Sequence, residues 1–102
     1  MAQDELITAR GTLFLDGTWV PGSAGVTAEV VNPYDQSIVA KVDQAEPVDV
    51  DRAVRAARSA FDTGQWPRTP ARERGALLSR VAALLVRDKE DIARTETLDT
   101  GK

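Results

Sequence analysis

The sequence predicts an α/β chain in which two β-hairpins are followed by three helices, and three patterns carry that reading. Short β-rich runs separated by Asp16-Gly17 and Asn32-Pro33 fill the chain as far as Val42. From Val50 onward the apolar residues fall at helical spacing instead. Proline and glycine punctuate the helical half at Pro47, Gly64, Pro70 and Gly101, where helices begin and end.

Residues 1–12 are polar and aperiodic and read as a flexible leader, leaving 13–102 as the structured part. Leu13-Phe14-Leu15 and Thr18-Trp19-Val20 flank Asp16-Gly17, a pair that tolerates the positive φ angles of a type I′ turn, so they form a hairpin. Pro21 to Gly25 is a loop. Its Gly22-Ser23-Ala24-Gly25 lacks the third glycine and the following helix that a phosphate-binding loop needs. Ala28–Val31 is a strand stopped at Asn32-Pro33, because proline removes a ladder donor. Tyr34 to Ser37 turns the chain into a partner strand, Ile38–Val42.

Glu46-Pro47 opens the first helix, with Asp49 and Asp51 in its electropositive first turns and Gly64 at its end. Val50, Ala53, Val54, Ala57, Ala60 and Phe61 make its apolar stripe. Arg52, Arg55 and Arg58 lie mainly opposite; together with Arg68, Arg72 and Arg74 they are interleaved with Asp49, Asp51, Asp62 and Glu73, and an ion-paired, solvated face is expected rather than a basic patch. In the second helix Thr69 is the expected N-cap, Pro70 the first helical residue, and Leu77, Leu78, Val81, Leu84 and Leu85 the stripe. Asp88 is expected to cap a third helix that Gly101 closes. Trp19 and Trp66 each sit beside a turn or a proline and are expected to pack rather than to stack on a ligand.

Composition narrows the function. The 102 residues hold no cysteine and no histidine, so a thiol nucleophile, a histidine base, a disulfide scaffold and a zinc site of the usual ligands are absent from them. Thirteen basic against sixteen acidic residues argue against a nucleic-acid or anionic-membrane binder. The acidic start lacks the apolar run of a signal peptide, and no stretch reaches the length of a membrane span, so the expected location is the cytoplasm.

The chemistry-bearing pattern lies in the third helix. Ile92, Glu96 and Asp99 stand at i, i+4 and i+7, so two carboxylates share a face with an apolar anchor. The pair admits acid–base work or hard-cation ligation, against the plainer reading of a solvated helix end. Asp99 occupies a stripe position, and a partly buried carboxylate there would need a donor or a cation. Two further features lead to the expectation of an incomplete chain: the one-faced helices lack a covering layer, and Lys102 follows the expected last cap directly.

Four segments in order carry a family resemblance: Leu13 to Val20, Val30-Val31-Asn32-Pro33, Asp49 to Phe61, and Glu96-Thr97-Leu98-Asp99-Thr100-Gly101-Lys102. Together they resemble the N-terminal segment of the aldehyde dehydrogenase superfamily, in the manner of its betaine-aldehyde members, although Tyr34-Asp35-Gln36 departs from the small-residue turn common after Asn-Pro. The resemblance implies the opening part of a Rossmann-type cofactor-binding domain. Its parent enzyme would oxidise an aldehyde to a carboxylic acid with NAD or NADP as a homo-oligomer. The family's catalytic cysteine, glutamate and asparagine and its cofactor contacts lie downstream, so this chain carries no catalytic and no cofactor-binding residue and is expected to be inactive alone.

One family site does map here. The resemblance implies that, as in several relatives, a sodium or potassium ion is held by backbone carbonyls just before the Asn-Pro and by the aspartate of the Asp-x-Gly-Lys ending, here Val30, Val31 and Asp99, with a further carbonyl from outside these residues. The expected partner is the remainder of the enzyme, with no nucleic acid and no membrane. The competing reading is a small self-standing α+β module that acts by protein–protein contact without catalysis. The two differ in what becomes of the helix stripes: a module buries them, whereas a segment of a larger fold leaves them exposed.

Overall fold

The computed structural model describes residues 11–102, and the reading of 1–12 as a leader lies outside these for residues 1–10. Four strands precede three helices. The strands are β1 (Leu13–Leu15), β2 (Thr18–Val20), β3 (Thr27–Val31) and β4 (Ile38–Asp43). The helices are α1 (Pro47–Thr63), α2 (Ala71–Arg87) and α3 (Lys89–Thr100), with a 3₁₀ turn, Trp66–Arg68, between α1 and α2.

The strands form two separate antiparallel pairs, β1–β2 and β3–β4. In the first, Asp16 and Gly17 take φ of 51° and 79°, the paired positive values that the Asp-Gly dipeptide predicts. Phe14 lies opposite Trp19 and meets it edge-on at 4.9 Å between centroids, so Trp19 packs as expected yet stays half exposed.

The second pair holds the core. Val30 pairs with Ala40 but Val31 pairs with Ile38, which leaves Val39 as the extra residue of a β-bulge. Successive strand residues normally face opposite sides. The bulge cancels that alternation, so that Val39 and Ala40 are both buried, at 4% and 2% exposure. They are the buried apolar residues among those described. Gly11 is tied to the end of β4, its carbonyl accepting from the Asp43 N–H.

Two helix starts differ from the sequence expectation. Pro70, not Thr69, is the N-cap of α2, and the Thr69 hydroxyl donates to the Gln65 carbonyl at 2.9 Å, so it serves the 3₁₀ turn behind it. Asp88 stands between α2 and α3 as the cap residue of both but makes no side-chain cap bond. Its carboxylate is taken by the Arg87 guanidinium at 2.7 and 2.8 Å, because a bidentate ion pair outcompetes a single amide donor. At the end of α1, Arg68 donates to the carbonyls of Asp62, Thr63 and Gly64, placing a cation on the negative end of that helix. The expected ion-paired arginine face is present in Arg55–Asp51 and Arg58–Asp62, but Asp49, expected on the same solvated face, is buried, because its carboxylate accepts from the Glu46 and Ser23 amides.

The helix stripes remain open. Phe61 is 66% exposed and Val54 61%, and Val50, Val81, Leu84 and Leu85 are about half exposed. Gly17 has no neighbour within 4 Å, so Gly17→Ala tests backbone strain alone. Placing a side chain at its φ of 79° should cost about 1 kcal/mol, read as a lower urea midpoint at unchanged slope.

Candidate functional site

Two carboxylates tie the loop between the hairpins to the rest of the chain. Asp43, at the end of β4, accepts the Gly22 N–H at 2.7 Å. Asp49, the third residue of α1, lies deeper and is 1% exposed. Its Oδ2 accepts the Ser23 N–H at 3.2 Å, the Ser23 hydroxyl at 3.0 Å and the Glu46 N–H at 2.9 Å. Its Oδ1 is buried without a hydrogen-bond partner among the described residues, with the Arg52 guanidinium at 4.0 Å. Hydrogen bonds from Glu46 and Ser23, aided by Arg52, hold the Asp49 carboxyl below the ordinary 3.8. The sequence signal was an acidic residue three positions after the helix cap, half of a capping box. Asp49, expected from the sequence as a dipole charge and as part of a solvated, ion-paired face, is instead buried as a junction between the Ser23 loop and the start of α1.

A second assembly involves the predicted cation residues. The Asn32-Pro33 turn is braced internally: Asn32 Oδ1 accepts the Tyr34 N–H at 2.9 Å, and the Asn32 carbonyl accepts the Gln36 N–H at 2.8 Å. Gly101 ends α3 at φ 76° and sits against this turn, where a Cβ would lie 2.8 Å from Pro33 Cγ and 2.9 Å from the Tyr34 nitrogen. Only glycine satisfies both the left-handed backbone and that approach. The contact brings the end of α3 beside β3.

Between them lies a trough of about 690 Å³. Val30, Val39, Ala40 and Val42 form one wall, and residues of α3 including Glu96 and Asp99 form the other. Val30 and Asp99 therefore share a cavity, whereas Val31 does not line it. Asp99 is exposed, contrary to the partial burial expected from its stripe position, because nothing among the described residues covers that side of α3. Among the described residues no group of three or more acidic, histidine or cysteine side chains is gathered to hold a metal ion, so cation binding here would draw on backbone carbonyls. A narrower groove of about 380 Å³ runs between β1 and the α1 stripe, lined by Leu13, Leu15, Val50 and Val54.

The sequence pattern of the aldehyde dehydrogenase family matches residues 19–102. The chain belongs to the aldehyde dehydrogenase family. It is 40% identical over 91 residues to betaine aldehyde dehydrogenase of Bacillus subtilis, covering 89% of this chain and 19% of that protein. It is 42% identical over 89 residues to human cytosolic 10-formyltetrahydrofolate dehydrogenase, covering 87% of this chain and 10% of that protein. A crystal structure of betaine aldehyde dehydrogenase from Staphylococcus aureus in complex with NAD+ superposes with a TM-score of 0.88 at 37% identity, over 90% of this chain and 18% of that one. An NAD-dependent aldehyde dehydrogenase from Sinorhizobium meliloti gives 0.87 at 38% identity, over 94% and 19%. The chain thus spans a fifth or less of the length of these family members. The succession of hairpins and helices agrees with the α/β class expected from the sequence.

The Asp49 junction gives a pH dependence of known sign. A carboxyl held below 3.8 stabilises the fold above that value and loses its contribution as pH falls through the lower folded-state value. Asp49→Ala should lower the melting temperature at neutral pH and flatten its decline below pH 3.8, leaving the shares of Asp35 and Asp88, which Ser37 and Arg87 hold down. Gly101→Ala should destabilise by roughly 1–3 kcal/mol from backbone strain, with the Pro33 contact adding to it, measured by thermal melting.

Proposed function

We propose that the chain is the N-terminal part of an NAD(P)-dependent aldehyde dehydrogenase whose whole polypeptide oxidises an aldehyde to a carboxylic acid. On this reading residues 13–102 open the Rossmann-type cofactor-binding domain behind a leader at 1–12. They carry none of the reacting groups and are inactive alone. The observation that carries it is exposure: Phe61 and Leu85 stand more than half open in a chain that matches full-length dehydrogenases along most of its own length. Apolar stripes of that size are left for other polypeptide. A self-standing interaction module would have covered them.

The same reading assigns Val30, Val31 and Asp99 to a sodium or potassium ion. Support comes from the trough, where Asp99 and Val30 lie on one cavity and the donors are oxygens, the ligand type such cations take. The ion's contribution is structural: it balances the Asp99 charge once further polypeptide covers it. Cytoplasmic location, a homo-oligomeric parent and the absence of nucleic-acid or membrane partners complete the proposal. The acidic excess of sixteen to thirteen supports the nucleic-acid exclusion, and the human relative named above is cytosolic. Among the described residues no helix is long and apolar enough to cross a membrane.

A chimera tests the assignment. Substituting this chain for the matching segment of the Bacillus subtilis enzyme should yield a soluble dehydrogenase that reduces NAD+ with betaine aldehyde, while the chain alone reduces none. A folded chimera without activity, or activity in the chain alone, overturns it. In that chimera Asp99→Ala should lower the melting temperature and abolish any potassium dependence. An unchanged potassium response removes the cation site.

A further inference from the structure

Helix α3 turns carboxylates, not leucines, toward an apolar sheet. Asp88, Asp91, Ile92, Thr95, Glu96 and Asp99 stand at i, i+3, i+4, i+7, i+8 and i+11, and all six line the trough opposite Val30, Val39, Ala40 and Val42. That spacing is the face a helix ordinarily fills with apolar side chains. Asp88 already has a cation in Arg87. Among the described residues no basic side chain lines the trough beside Asp91 and Glu96: Lys89 and Arg94 of α3 fall off the lining stripe, and Lys41 of β4, the register partner of Glu29, does not line it either. Whatever covers the apolar wall takes these two carboxylates out of water, and a desolvated carboxylate needs a positive partner.

We propose that the trough seats a basic amphipathic segment, with apolar side chains against Val30, Val42 and Ile92 and lysine or arginine on Asp91 and Glu96. The segment comes from the part of the enzyme beyond this chain, which spans 19% of its Bacillus subtilis relative. This rests on the reading of the chain as part of a larger dehydrogenase and adds which chemistry covers which face. The α1 groove offers only apolar lining apart from Asp49, whereas the trough selects for positive charge.

The test titrates the 102-residue chain with two synthetic amphipathic helices, one of leucine and lysine and one of leucine and glutamate in the same pattern, and follows backbone amide resonances. The lysine helix should shift Val30, Val42 and Ile92, more weakly as salt rises. Asp91→Asn with Glu96→Gln should weaken it by about tenfold, while Asp16→Asn with Glu73→Gln leaves it unchanged. Reversing the charges, Asp91→Lys with Glu96→Lys, should transfer binding to the glutamate helix. Binding of the glutamate helix to the unaltered trough, shifts confined to Leu13 and Val54, equal loss in the control variant, or no binding of either helix overturns the proposal. The fragment reading fails separately, if hydrogen exchange shows the α1 and α2 stripes protected in a cooperative monomer.

Discussion

The buried carboxylate of Asp49 is the constraint on which the arrangement depends. One oxygen gathers the Ser23 amide, the Ser23 hydroxyl and the Glu46 amide, so a single side chain fixes both the inter-hairpin loop and the start of α1. Asp43 holds the neighbouring Gly22 in the same way. Polar tethers of this kind matter because the apolar core amounts to Val39 and Ala40 among the described residues. With so little burial to orient the hairpins, directional hydrogen bonds to charged acceptors take over that task.

The remaining apolar surface is displayed rather than hidden, and its two main recesses differ in chemistry. The groove beside β1 is almost wholly apolar. The trough beside β3 and β4 sets an apolar wall against an acidic helix face. A family member that encloses both must bring different side chains to each, so this small piece of the fold already sorts its neighbours by charge.

Much of this was legible in the chain itself. Asp16-Gly17 announced its turn, because few dipeptides accept two positive φ angles. Gly101 announced a helix end, and the stripes announced their faces. The bulge at Val39 was not legible: an extra residue in one strand depends on how the partner strand is paired, and no local pattern encodes that. The capping roles of Thr69 and Asp88 were misjudged because rival partners, the Gln65 carbonyl and the Arg87 guanidinium, compete for the same side chains. The site was legible in part. Ile92, Glu96 and Asp99 were placed on one face, and the trough confirms that placement. The exposure of Asp99 and the acceptor role of Asp49 depend on distant chain segments and escaped sequence reasoning.

Asp88 ends α2 and begins α3 with no residue to spare on either side. Each residue of an α-helix turns its face by roughly 100°. One residue gained or lost at this elbow would swing the acidic stripe away from the sheet and unseat Gly101 from the Asn-Pro turn. The joint therefore acts as a length gauge, intolerant of insertion or deletion.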